Sequence, residues 1–258
     1  MFDTIRVQAD GPVGQLVLNR PDKLNPLSPY TLREIAAAAR WFDADQPEVR
    51  VVVVRGEGRV FSAGADVSAF GQRDDQSSPH GDADAGRLMA EALESMSAIA
   101  IAQLHGWCVG GGLVLAAACD LRVAADDTRF SIPEVDLGIP LAWGGIPRLV
   151  REIGPAVTKE LVITCREFGA DEALRLGFLN RVVSAAALEA TVDELAQTVA
   201  SKPAFAAQST KRHVNAVTAS ASQAGTAWSD ADGLLAGLRD PEGRASAARY
   251  LEQVRRKR

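Results

Sequence analysis

Twice in this chain a short, almost continuously apolar run ends in a glycine-bearing turn that opens toward helix-like sequence. The first is Val49-Arg50-Val51-Val52-Val53-Val54-Arg55, which leads to Phe61-Ser62-Ala63-Gly64-Ala65-Asp66. The second is Ile99-Ala100-Ile101-Ala102-Gln103-Leu104, which leads through Gly106 to Gly110-Gly111-Gly112. Runs with so little polar alternation are typical of strands covered on both faces, so the pattern asks for a layered α/β domain. A turn between a strand and a helix presents main-chain N–H groups to an incoming anion or carbonyl oxygen. Two such turns together suggest an oxyanion hole. Downstream, Phe130-Ser131-Ile132-Pro133-Glu134 carries a carboxylate with Pro133 before it and apolar Val135 and Leu137 after it. Partial burial there would raise the pKa of Glu134 toward that of a useful base.

Composition narrows the rest. With 258 residues, 47% hydrophobic and 24% charged, the chain fits one globular unit able to bury a substantial core. Acidic residues outnumber basic ones by 33 to 28, which argues against a general affinity for nucleic acid. Cys108, Cys119 and Cys165 have no metal-ligand spacing, and His80, His105 and His213 are scattered, so no metal site is expected. Gly-x-Ser-x-Gly is absent, which counts against a serine hydrolase. No stretch approaches the length of a membrane span and the N-terminus lacks a basic segment leading into an apolar run. A cytoplasmic protein is expected.

Along the chain, Ile5–Ala9 and Val13–Asn19 flank Asp10-Gly11-Pro12 as a hairpin, and Ser28-Pro29 opens a helix from Tyr30 to about Asp43. Residues 71–86 are polar and predict a mobile surface segment, a lid or a merely variable loop, with helix resuming at Arg87. A helix over Leu113–Ala118 and strands over Leu121–Ala125 and Arg129–Ile132 follow. Shorter helices come after Leu149, and from Ala186 onward the pattern is helical. Strand-strand-helix units recur without strict periodicity.

The order and spacing of Arg20-Pro21-Asp22-Lys23-Leu24-Asn25, the two turns, Asp120, Pro133-Glu134 with Leu137-Gly138, and Gly144-Gly145 with Arg148-Leu149 resemble the crotonase superfamily (enoyl-CoA hydratase/isomerase). The resemblance implies a superhelical stack of strand-strand-helix units over residues 1–195 and a C-terminal helical oligomerisation region over 196–258. It also implies a homotrimer or a hexamer built as a dimer of trimers. It implies an acyl-CoA thioester as substrate, no other cofactor, and an oxyanion hole made by the amides of Ala65 and Gly111. Hydratases of this family carry two glutamates, one three residues past the middle glycine and one in the Pro-Glu segment. Here the first position is Val114 and the second is Glu134. Water addition is best served by two carboxylates, whereas moving a double bond from C3–C4 to C2–C3 needs one base. Δ3-Δ2-enoyl-CoA isomerisation by Glu134 is therefore the expected activity. Hydration, thioester hydrolysis and silent acyl-CoA binding are the alternatives. Asp136 is a minor catalytic candidate, because a strand would turn it toward the same face as Glu134. Lys23, Ala63, Asp66, Val67, Gly110, Val114 and Trp143 are expected to border the substrate.

Overall fold

A computed structural model of the chain describes residues 2–66, 78–221 and 230–256. The N-terminal hairpin forms as expected: β1 (Ile5–Asp10) and β2 (Val13–Leu18) pair antiparallel, with Asp10 opposite Val13 across a two-residue turn. Ser28 then caps α1 (Pro29–Asp45), its Oγ accepting the Thr31 N–H at 3.1 Å, and Pro29 sits at the first helical position where its missing donor does no harm. Leu32, Ile35, Ala36, Ala39 and Phe42 form the buried stripe of that helix.

The apolar runs become β3 (Val51–Gly56) and β4 (Ile99–Leu104), parallel neighbours in the centre of a six-stranded sheet. Alternation explains why they need be apolar throughout. Val52, Val54, Ala100 and Ala102 enter the main core, while Val51, Val53 and Ile101 enter a second cluster on the opposite face. That second face is closed by a C-terminal helix spanning Leu188–Ala200, through Leu188, Val192 and Leu195 at one-face spacing. Each such buried side chain contributes roughly 1.5–3 kcal/mol, so one polar substitution on either face would be felt.

One expectation fails between the two central strands. The helix there, α2, runs over Pro79–Ser95, so the later part of the supposed surface segment is helical, with Ala83, Ala85 and Gly86 buried. Ser78 caps it by accepting the Gly81 N–H at 3.0 Å, and Pro79 occupies the first turn. A buried face of alanine and glycine carries too little hydrophobicity to register as a stripe in the sequence. Residues 71–77 lie outside the described residues.

Beyond β4 the chain adds β5 (Trp107–Val109), α3 (Gly111–Ala117), β6 (Leu121–Ala125) and β7 (Arg129–Ser131). Next come α4 (Gly145–Ile153), α5 (Pro155–Thr164), β8 (Phe168–Gly169), α6 (Ala170–Arg175) and β9 (Arg181–Val183). The large sheet has the order β1-β2-β3-β4-β6-β9, and a small sheet has the order β5-β7-β8. Ser62 bridges Cys108 in parallel, so the small sheet begins in effect at the first glycine turn. Three successive passes thus give one segment to each sheet: β3 with Ser62, β4 with β5, β6 with β7. This is the expected strand-strand-helix stack, and its consequence is positional. Both glycine turns emerge on the same side, beyond the carboxyl ends of the central parallel strands, where open α/β sheets hold their ligands.

The helix closing the second face is α7 (Leu188–Ala200), and the boundary expected at 195/196 falls inside it. Next, α8 (Ala204–Ala221) is anchored by buried Lys211, whose ammonium meets Asp120 Oδ2 at 2.8 Å and the carbonyl of Ala98 at 2.9 Å. Finally, α9 (Asp230–Gly237) and α10 (Pro241–Arg256) fold back over the turns. A Cβ on Gly138 would lie 2.1 Å from the Gly243 Cα, so α10 crosses the chain after Glu134 backbone against backbone. No helix among the described residues is long and apolar enough to cross a membrane.

Candidate active site

The first turn is held by a buried asparagine. Asn25 Nδ2 reaches the carbonyls of Glu57, Val60 and Phe61 at 2.9, 3.0 and 3.2 Å, and its Oδ1 accepts the Arg20 N–H at 3.0 Å. Ser62 Oγ donates to the Asn25 carbonyl at 2.8 Å and accepts from the Gly64 N–H at 3.1 Å. Leu27 then pairs with the turn in parallel: its N–H donates to the Gly64 carbonyl at 2.8 Å, and its carbonyl accepts from the Asp66 N–H at 3.0 Å. Alternate backbone groups of an extended segment point to opposite sides, so the Ala65 N–H faces away from Leu27. Among the described residues it has no acceptor.

The second turn complements it. Gly110 donates its N–H to the Ser131 carbonyl at 2.9 Å and adopts φ +49, ψ −114, a conformation reserved for glycine. Gly111 opens α3, and its N–H, one of the orphan donors of a helix start, also has no acceptor among the described residues. The two turns touch: a Cβ on Gly64 would sit 2.6 Å from the Val109 carbonyl and 3.6 Å from the Gly111 nitrogen.

Glu134 stands against this pair. A Cβ on Gly110 would lie 2.3 Å from its Oε1, so the glycine makes room for the carboxyl. Glu134 is 9% exposed, and its buried Oε2 has no hydrogen-bond partner among the described residues. Burial pushes its pKa up from 4.5 to about 7, only partly offset by a hydrogen bond from its own backbone. A general base works only as the carboxylate, so kcat/KM should rise with pH and level off above about 7 rather than near 4.5. A pH–rate series between pH 4 and 9 checks this; a rising limb complete by pH 5 would refute it.

Asp136 does not join Glu134, contrary to the strand-based expectation. Residues after Pro133 form helical turns, with the Leu137 N–H donating to the Pro133 carbonyl at 3.0 Å and the Ile139 N–H to the Glu134 carbonyl at 3.0 Å. At about 100° per residue, a side chain two positions on points to the far side. Asp136 is accordingly exposed.

Two cavities share Ala65, Glu134, Ile139 and Leu234. The inner one, about 20 Å³, is otherwise walled by Gly111, Val114 and the segment Pro140–Trp143, and has room for roughly one water-sized group. The outer one, about 140 Å³, is walled by Ala63, Gly64, Gly110 and Leu137, with Leu238 just past α9 and Ala247 and Tyr250 of α10 closing it. Trp143 is 5% exposed and carries φ +60, a strained value for a bulky residue. Its indole is seated between two glycines: Cβ atoms on Gly86 and Gly111 would come within 2.0 and 2.1 Å of it. Buried Arg148 fixes the strained turn, donating to the Gly144 carbonyl at 2.9 Å while ion-paired to Glu94, and Asp230 accepts the Gly144 N–H at 2.6 Å. Trp143 is thus both core and cavity wall.

Of the residues expected at the site, the fold brings together Ala63, Ala65, Gly110, Gly111, Val114, Glu134 and Trp143. Lys23 is exposed on a short 3-10 helix, and Asp66 is ion-paired with Arg20 at 3.2 Å; neither lines these two cavities. The Arg20–Asp66 pair braces the first turn. Val67 lies outside the described residues. Sequence reasoning missed Gly86 as the seat of the indole and Tyr250 as a wall of the outer cavity. A lone glycine in a polar stretch and a tyrosine in a charged terminal helix carry no local signal of such roles.

The chain matches the family model described as Enoyl-CoA hydratase/isomerase over residues 8–256. It is 36% identical over 216 residues to a probable enoyl-CoA hydratase of Mycobacterium tuberculosis, covering 83% of this chain and 82% of that protein. It is 35% identical over 215 residues to a crotonyl-CoA hydratase of Syntrophomonas wolfei, covering 83% and 82%. Among solved structures, an enoyl-CoA hydratase from Mycobacterium avium subsp. paratuberculosis superimposes with a TM-score of 0.84 at 27% identity, covering 95% of this chain and 98% of that one.

Proposed function

The chain belongs to the enoyl-CoA hydratase/isomerase family, and from that premise we propose that it hydrates 2-enoyl-CoA thioesters with Glu134 moving the proton. One observation carries the reading: a buried carboxyl whose Oε2 lacks a hydrogen-bond partner shares a cavity with two backbone N–H groups, and neither that oxygen nor those N–H groups have a partner among the described residues. A thioester carbonyl at Ala65 and Gly111 would receive two hydrogen bonds. Those bonds strengthen as the oxygen becomes an enolate, and each such donor is typically worth about 3–4 kcal/mol. With the carboxylate of Glu134 beside it, a water loses a proton as its oxygen bonds to C3. The C2–C3 electron pair moves toward the thioester oxygen, and Glu134 then returns the proton to C2. The substrate gains one water and the enzyme is unchanged.

Isomerisation, which the sequence favoured, becomes the second reading. Val114 supports it, being fully buried on the inner cavity where a second carboxylate would stand. The hydratase names of the relatives weigh the other way. Exposed Lys23, on the segment whose Leu24 carbonyl accepts the Ala63 N–H at 2.9 Å, would meet CoA phosphates. Exposed Phe205, Val214 and Val217 on α8 favour assembly through that helix into a trimer or a hexamer.

Mass spectrometry of products decides between the reactions. Crotonyl-CoA should gain one water, and a 3-enoyl-CoA should not be the preferred substrate. Conversion of the 3-enoyl ester to the 2-enoyl ester, with crotonyl-CoA left unhydrated, would replace hydration by isomerisation.

A further inference from the structure

Hydration asks for two polar groups around the water, one to take its proton and one to fix its oxygen toward C3. Position 114 supplies only a buried valine, and Asp136 points outward. Resting on the hydratase reading above, we propose that the Tyr250 hydroxyl is the missing group, holding the attacking water against Glu134.

Tyr250 and Ala247, three residues apart on one face of α10, wall the same cavity as Glu134 and Gly110. The Tyr250 ring is half-buried, and its hydroxyl has no hydrogen-bond partner among the described residues. A phenol both donates and accepts, so it can accept one O–H of a water whose other O–H faces Glu134. Burial, with Asp136 and Glu134 nearby, holds the phenol above its ordinary pKa, so it stays neutral through the reaction. The placement is built into the fold. The Gly138–Gly243 backbone contact presses the start of α10 onto the chain just after Glu134, and Gly237 approaches the Gly138 carbonyl from the end of α9. In the step itself one water O–H stays bonded to the Tyr250 oxygen, and Glu134 takes the other proton as the O–C3 bond forms. Glu134 later delivers that proton to C2, and Tyr250 keeps its own.

The test is Tyr250→Phe in the full chain, which deletes one oxygen and keeps the ring. With crotonyl-CoA, kcat should fall about 10- to 100-fold while KM stays within about threefold and the thermal midpoint is unchanged. A second readout needs Glu134 and the N–H pair but no added water: exchange of the α-protons of butyryl-CoA in deuterated water, followed by mass. That exchange should stay within about twofold of wild type in Tyr250→Phe and vanish in Glu134→Gln. Unchanged hydration in Tyr250→Phe overturns the proposal, and so does an equal fall of hydration and exchange, which would mark a merely structural role. Hydration surviving in Glu134→Gln would instead overturn the reading of the site, and this proposal with it.

Discussion

Glu134→Gln is expected to lower kcat for hydration by about 10²-fold or more and to gain stability relative to wild type as pH rises. Both effects have one origin. The carboxyl sits in an apolar enclosure, its Oε2 without a partner among the described residues, so burial disfavours the anion that a catalytic base must nevertheless become. Between pH 4.5, its ordinary value, and about 7, its value in the fold, the folded protein still binds a proton that the unfolded chain has released. Wild-type stability therefore falls as pH rises across that window. At 1.36 kcal/mol per pH unit the fall amounts to about 3 kcal/mol. Glutamine does not titrate, and its own burial cost is the same at every pH. The stability difference between variant and wild type should therefore move by about 3 kcal/mol in favour of the variant between pH 4.5 and pH 8. Urea unfolding at the two pH values reads it directly. A difference that does not change with pH means that Glu134 ionises freely in the fold, and wild-type turnover means that it is not the base.

Gly110→Ala should be nearly as damaging to turnover while removing no candidate polar group. The added methyl would stand 2.3 Å from Glu134 Oε1, well inside van der Waals contact. It would also have to hold φ +49, ψ −114, a strain on the order of 1–3 kcal/mol for a non-glycine residue. The carboxyl can relieve the clash only by moving, and a displacement of about 1 Å at a reacting group is worth about 10²-fold in rate. Loss of stability and loss of kcat should therefore appear together, with the acid limb of the pH–rate profile displaced as the carboxyl leaves its enclosure. Turnover within about twofold of wild type would show that Glu134 does not work from this position.

Much of this architecture was legible in order. The near-continuous apolar runs of β3 and β4 announce strands covered on both faces, and alternation into two clusters is the physical content of that reading. Ser28-Pro29 marks the start of α1 because a cap and a helix-compatible ring are local devices. Glu134 was legible through its apolar neighbours, and the glycine turns through their place between strand and helix. What failed did so where local signal was weak. Ser78 and Pro79 stand at the start of α2 as Ser28 and Pro29 do at α1, but α2 buries alanines and a glycine there, so its first turns read as polar loop. β5 and β8 have three and two residues, too short to show a period. Asp136 departs from the expectation because the backbone there forms helical turns rather than a strand with its period of two.

The sequence by itself determined the longer elements, the two turns and the apolar setting of Glu134, because capping, φ preference and burial periodicity act between residues a few positions apart. Tertiary structure alone decided which groups meet. Gly86 from α2 and Gly111 from α3 form the two sides of a slot for Trp143, a third segment distant in the chain. Gly243 reaches Gly138 only because α10 folds back over the site, and with it Tyr250 comes to share a cavity with Glu134. Such contacts follow from close packing of whole elements, in which the absence of a side chain at one position is meaningful only once the atom that fills the space is known. The dryness that pushes the Glu134 carboxyl to about 7 has the same source: it belongs to the enclosure assembled around the residue, which no neighbouring stretch of sequence contains.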